Sequence, residues 1–396
     1  MSNSEYFLAD SMVENKINPT SPLLSLQKQQ LLLRMEYECE KEEFKRQTET
    51  MGITRKIKRG LCWYPLLVGR SNSLNQLVVE VIRTEDKDIE HAFEFGRPVC
   101  FFQQKYDGKI HYMNFTATVS YADEERMVIV LPNAGALLEI QGTDRLGVQL
   151  YFDETSYHTM FEALEDVIRA KNNRLAELRD TLLGTLPVHQ RELYPVRFPW
   201  LNSTQEEAVN KVLCTKDVAI VHGLVEAIYE TLHRENQVLV CAQSNTAVDW
   251  ISEKLVDRGV PVLRIGNPTR VNDKMLSFTY ERRFESHPAY TELWGIRKSI
   301  REMNGRIRKG SHIERENMRN RISHLRDRAT ELEILINEAL FSSTRVVAST
   351  LVSSNHRILN GRRFSTLFID EAAQALEAAC WIAIRKADRV IFAGDH

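Results

Sequence analysis

Apolar positions along the chain follow a helical period first, then an alternating one, then a mixed pattern, and each change of period marks a change of architecture. From Ser21 the residues Leu24, Leu31 and Met35 share one helical face, and the charged run up to Gly52 extends the same helix, so 21–59 reads as a stalk. After Gly60 the period drops to two. Leu77–Ile82, Pro98–Phe102, Phe115–Val119 and Met127–Leu131 read as strands separated by Gly, Asp and Asn clusters, which predicts a small β-barrel over 60–155. Barrels of this kind carry many functions, and one that merely packs fits the pattern as well. Tyr157, Phe161, Leu164, Ile168, Leu175 and Leu178 mark a second stalk helix within 156–186, suited to pair with the first. The proline-bearing stretch 187–199 is a linker, and the polar, unpatterned residues 1–20 are expected to form a loose arm.

Beyond Trp200 the pattern becomes α/β. Val218–Val221, Val238–Cys241, Val262–Ile265, Val346–Ala348, Thr366–Ile369 and Val390–Ala393 are short apolar runs, most of them separated by helical patterns. That order predicts a mostly parallel sheet with right-handed crossovers over 200–396. A helical hairpin at about 288–340 interrupts it, with Ile296, Ile300, Met303 and Ile307 on one arm and Met318, Ile322, Leu325, Ala329, Leu332 and Ile336 on the other. Its outer faces are rich in arginine, Arg297, Arg301, Arg315 and Arg319 among them. A solvated charged face and a surface that tracks phosphates both fit this run.

Composition narrows the choices only at the margins. An apolar content of 43% and a charged content of 27% are ordinary for a globular protein, and a net charge of -2 argues against a uniformly basic nucleic-acid binder. Six scattered cysteines without a C-x-x-C pair argue against a zinc centre and a disulfide framework. No apolar run approaches membrane-spanning length, and the first residues lack the pattern of a signal peptide. The expected setting is a reducing intracellular compartment, the cytoplasm or, in a eukaryote, the nucleus.

The candidate chemistry lies where the apolar runs of the α/β region end. Thr366–Ile369 leads straight into Asp370 and Glu371, and acids at the carboxyl end of a buried strand can hold Mg²⁺ through its water shell and orient an attacking water. A pair of acids opening a helix is the plainer alternative. In Leu201-Asn202-Ser203-Thr204-Gln205-Glu206, Ser203 and Glu206 have the spacing of a capping box, which leaves Gln205 able to read an adenine edge. Ser244 and Asn245 follow shortly after the strand Val238–Cys241 and suit either a helix cap or a phosphate contact, and Ala348-Ser349-Thr350 repeats the arrangement. Ala393-Gly394-Asp395-His396 brings one more carboxylate to a strand end.

Taken in order, L-N-S-T-Q, C-A-Q-S-N-T-A-V-D, A-S-T-L, F-I-D-E-A-A-Q and F-A-G-D-H resemble the first motor domain of a superfamily 1 helicase. The narrower resemblance is to the branch of the nonsense-mediated-decay helicase, senataxin and the immunoglobulin-mu-binding helicase, whose stalk, barrel and hairpin insertions have counterparts here. The resemblance implies a RecA-like P-loop-NTPase-type fold, ATP and Mg²⁺ as cofactors, single-stranded DNA or RNA as partner, and a monomer. It implies that Asn202, Gln205, His222 and Gly223 lie at the nucleotide, with Gln205 on adenine. Ser244, Asn245 and Thr350 would follow the strand; Asp370 would hold Mg²⁺ through water and Glu371 would place the attacking water. Gln374 and Asp395 would couple the two sites.

The sequence departs from that family where the triphosphate should sit. Its Gly-x-x-x-x-Gly-Lys-Ser/Thr loop, about eight residues whose amides, Lys and hydroxyl hold the phosphates and Mg²⁺, does not occur between Val221 and Val225 or elsewhere; Gly108-Lys109 is followed by Ile110. The family's second motor domain is expected to be missing as well. The expectation is an incomplete helicase with an internal deletion, inactive in ATP turnover by itself. A non-catalytic single-strand-binding module and a protein-binding scaffold built on stalk and barrel are the alternatives.

Overall fold

The structure, a computed structural model, describes residues 22–49, 51–72, 77–93, 97–152, 154–266, 271–307 and 312–394. The expected arm at 1–20 and the candidate Asp395 lie outside the described residues. The chain folds as two compact units, one comprising the residues up to Glu38 together with Ser156–Val260 and Val346 onward, the other Cys39–Thr155 and Pro261–Arg345.

In the second unit seven antiparallel strands form a sheet in the order β1-β7-β4-β5-β6-β3-β2. They are β1 (Cys62–Trp63), β2 (Leu66–Asn72), β3 (Val78–Arg83), β4 (Pro98–Gln104), β5 (Ile110–Ala122), β6 (Arg126–Val130) and β7 (Leu146–Leu150). Alternation in β3, where Val79 and Val81 are buried, sends one face to a core that includes Trp63, Phe101, Val119, Met127, Ile129 and Val148. The same unit holds the short strand β10 (Val262–Ile265) and the two long helices Tyr290–Ile307 and His312–Ser342. Leu293, Ala329, Leu332 and Ile336 form the seam of these helices, and the ion pairs Arg297–Glu333 at 2.6 Å and Arg328–Glu292 at 2.9 Å lie along its flanks.

The first unit carries the other strands, β8 (Val218–Val221), β9 (Val238–Ala242), β11 (Val346–Thr350), β12 (Phe364–Asp370) and β13 (Ala387–Ala393). They run parallel in the order β11-β9-β12-β13-β8. Every residue of β9 is buried, as expected of a central parallel strand covered on both faces. Register decides what meets at the carboxyl edge: Ala242 lies opposite Thr350 on one side and Asp370 on the other, and Ala393 lies opposite Val221.

Two helical expectations are corrected in this unit. Along Pro22–Glu49 the residues Leu31 and Met35 are exposed, and Leu26, Leu33 and Tyr37 are buried instead. Tyr37 determines the choice of face, because its ring meets Tyr157 at 5.3 Å and Phe161 at 5.9 Å on the next stalk helix and contributes more apolar area than a methionine. The single helix expected from Tyr157 to Leu183 is two, Thr155–Arg169 and Arg174–Leu182. Asn172 takes a left-handed φ of 52° and Asn173 caps the second helix through Ala176 N, so the chain turns where two consecutive Asn favour turn and cap over helix.

Candidate functional site at the carboxyl edge

Each candidate side chain is delivered by a strand end or by the first turn of the helix that follows. Ser244 is the N-cap of the helix Asn245–Val256; its Oγ accepts from Ala247 N at 3.1 Å and donates to Glu371 Oε2 at 3.4 Å. Asn245 opens that helix and is half-buried. Thr350 ends β11, with Oγ1 donating to Ser353 Oγ at 2.8 Å and accepting from Ser353 N at 3.2 Å. Its neighbour Ser349 is fully buried beside Cys241, so only Thr350 of that pair reaches the edge. Asp370 is the last residue of β12 and is half-buried. Hydroxyls from two turns and carboxylates from a third therefore gather at one edge, brought there by register alone.

Glu371 is held in the left-handed region, at φ 52° and ψ 35°. A residue with a Cβ takes that conformation at a cost of about 1 kcal/mol or more. The turn it makes sends the chain into Ala372–Gln374, where Gln374 N donates to Glu371 O at 3.0 Å and the Gln374 side chain is exposed. A Cβ added to Gly394 would stand 3.3 Å from the amides of Ala372 and Ala373, so the glycine lets the end of β13 approach this turn closely.

The capping box at the start of Ser203–Cys214 is shifted by one residue from the sequence expectation. Asn202, not Ser203, is the N-cap: Asn202 Oδ1 accepts from Gln205 N at 2.8 Å, and Asn202 N donates to Gln205 Oε1 at 3.2 Å. Glu206 turns instead to Phe198 N at 2.9 Å and Arg197 at 3.0 Å. Both Asn and Ser are good caps, and the helix begins one residue earlier than the Ser203–Glu206 pairing requires. Gln205 is exposed but spends its oxygen on the cap, so it is not the unengaged amide that the sequence suggests.

The turn from β8 into the helix Val225–Leu232 differs from all of these. Three residues make it: His222, which is exposed, Gly223 at φ 78°, and Leu224, which is 3% exposed. Leu224 occupies the N-cap position without a side-chain cap, and Glu226 in the first turn pairs with Arg258. A triphosphate site needs a run of backbone amides curled around the anion and a cation at its end. This turn presents a buried leucine and an acid, in about three residues where such a loop needs about eight. The residues present do not fit a triphosphate. Among the described residues no group of three or more His, Cys, Asp or Glu is placed to hold a metal ion.

The sequence reading missed the engagement of Gln205 and the left-handed Glu371. The first was legible in principle, since Asn202 and Gln205 have capping-box spacing, whereas the second depends on how β12 leaves the sheet. Burial pushes the Cys62 thiol up to about 12 and the Cys380 thiol up to about 11, so neither is a ready nucleophile. Among the described residues no helix is long and apolar enough to cross a membrane.

Comparison with known proteins adds a second line of evidence. Residues 200–396 match the AAA domain family. Over 268 residues the chain is 30% identical to the DNA polymerase alpha-associated DNA helicase A of Schizosaccharomyces pombe, covering 64% of this chain and 41% of that protein. It is 29% identical over 391 residues to the DNA-binding protein SMUBP-2 of Rattus norvegicus, covering 92% of this chain and 39% of that protein. With the ATP-dependent helicase upf1 of Schizosaccharomyces pombe the identity is 27% over 285 residues, covering 65% of this chain and 29% of that protein. The chain thus spans about two fifths of the length of the first two relatives.

Proposed function

Since the chain belongs to the superfamily 1 helicases, in the branch of upf1 and SMUBP-2, we propose that it binds single-stranded DNA or RNA at the carboxyl edge of its parallel sheet without turning over ATP. The three-residue turn from β8 to Val225 carries this reading, because it lacks the amides and the lysine that a triphosphate requires. The hydroxyl-bearing turns at Ser244 and Thr350 support the binding half: their O–H groups, which donate to Glu371 and to Ser353, can rotate to donate to phosphate oxygens instead. In this reading Ser244, Asn245 and Thr350 follow the strand. Asp370, Glu371 and Gln374 are the inherited metal, water and coupling residues of an ATPase, as are Asn202, Gln205, His222 and Gly223 of its nucleotide pocket. The setting is the reducing cytoplasm or nucleus, consistent with six cysteines that form no disulfide.

Fluorescence anisotropy with a labelled oligonucleotide tests the first half, and phosphate release tests the second. Binding is expected to weaken steeply between about 50 and 200 mM salt, as phosphate contacts release counterions. Affinity that ignores salt would remove the basis for the nucleic-acid reading. Nucleic-acid-stimulated ATP hydrolysis by the pure chain would overturn the claim that turnover is lost.

A further inference from the structure

The amino edge of the same parallel sheet holds a cavity of about 530 Å³, at the opposite ends of the strands from the candidate site. Its acids are already neutralised. Asp217 accepts from Arg174 Nη2 at 2.5 Å and from His189 N at 2.7 Å, and His189 Nδ1 lies 2.8 Å from the same carboxylate. Asp388 accepts from Arg363 at 2.6 Å. Arg389 is committed to Glu235 at 2.7 Å, to Thr366 Oγ1 at 2.6 Å and to the carbonyls of Val212 and Thr215.

Two further cations line the cavity without such compensation. Arg191 and Lys216 are exposed, and among the described residues neither forms an ion pair. Local pairing aims them. Gln190 faces Thr215 in an antiparallel bridge, with Arg191 N donating to Cys214 O and Lys216 N to His189 O. Residues directly opposite one another in such a pair project to the same face, as do residues two apart. His189 and Arg191 therefore emerge on the side that Lys216 occupies, opposite to the side of Gln190 and Thr215. Burial pulls Arg389 below the usual guanidinium range against the opposing charge of Glu235, with the like charge of Arg191 as a smaller contribution.

We propose that this cavity is a second anion site, which takes a phosphate-bearing ligand between Arg191, Lys216 and His189 over the fixed Arg174 and Arg389. Guanidinium and ammonium donors converging on a pocket match the several acceptor oxygens of a phosphate group. The volume falls within the range of small-ligand pockets. The phosphate belongs either to a free phosphorylated small molecule or to a nucleic-acid backbone. This site shares no residue with the carboxyl edge and stands independently of the function proposed there.

Titration of the full chain with inorganic pyrophosphate, followed by calorimetry at fixed ionic strength, tests the proposal. Saturable binding is expected, weakened roughly tenfold or more in Lys216→Ser and further in the Arg191→Ser, Lys216→Ser double variant. Lys254→Ser removes an exposed cation that is not among the residues lining this cavity, and should bind as the unaltered chain does. No saturable binding, undiminished binding in the double variant, or an equal loss in Lys254→Ser would each overturn the site. Where binding is found, displacement of pyrophosphate by a single-stranded oligonucleotide assigns the phosphate to a nucleic-acid backbone. A lack of displacement assigns it to a free small molecule.

Discussion

The two edges of one parallel sheet are built on opposite principles. At the amino edge Arg174, Asp217, Arg389 and Glu235 are locked together by bonds of 2.5 to 2.7 Å, with Asp217 and Arg389 buried. At the carboxyl edge the bond between Ser244 and Glu371 spans 3.4 Å, both groups reach solvent, and Glu371 is held in a left-handed conformation. The difference separates structure from availability. Buried charges must be paired to be tolerated, so the amino edge spends its acids on holding the strands and the helix Arg174–Leu182 in place, whereas the carboxyl edge keeps Ser244 and Glu371 in reach of solvent.

Replacing Arg389 with leucine should be the most damaging change, costing about 3–5 kcal/mol, because it leaves Glu235 without its buried partner. Urea unfolding at neutral pH measures the loss, and a loss under about 1 kcal/mol would show that the amino edge is no lock. Asp217→Asn comes next, at roughly 3 kcal/mol at neutral pH. Burial alone would raise the Asp217 carboxyl, but the hydrogen bonds from Arg174 and His189 outweigh it and hold the group below its ordinary value of 3.8. Its contribution is therefore complete above that value and lost as the pH falls through the lower folded-state value. The stability gap between the unaltered chain and Asp217→Asn should narrow as the pH drops below about 3.8, and a gap that stays constant there would place the effect elsewhere.

The carboxyl edge should respond more weakly. Ser244→Ala removes a cap and is expected to cost about 1 kcal/mol, read from the unfolding midpoint; a change near zero would mean that the first turn needs no cap. Glu371→Gly should have the smallest effect and the opposite sign, a gain of roughly 0.5 kcal/mol as relief of the left-handed strain exceeds the entropy cost of glycine. If that variant is less stable in thermal unfolding, the bond to Ser244 outweighs the strain and this edge is more of a lock than its geometry suggests.

Much of this architecture was legible beforehand because its signals are local. The α/β class followed from short apolar runs alternating with helical periods, and the candidate turns followed from polar residues at the ends of those runs. The shortened turn between Val221 and Val225 could be read directly, since a missing loop needs no tertiary structure to be noticed. The face of the first stalk helix could not, because Leu31 and Leu33 are equally apolar and only the position of Tyr157 and Phe161 favours the face bearing Tyr37. The cavity at the amino edge was equally invisible: its residues come from five separate stretches between Arg174 and Arg389.

By itself, then, the sequence determined the class of fold, the order of its elements and the residue types at each strand end, because period and turn chemistry act between near neighbours. Tertiary structure decided which of those ends meet. Parallel register set Ala242 between Thr350 and Asp370, and it brought Arg389 to the partners that fix the opposite edge. Pairing between distant strands is set by the packing of the whole sheet, and no local stretch encodes it.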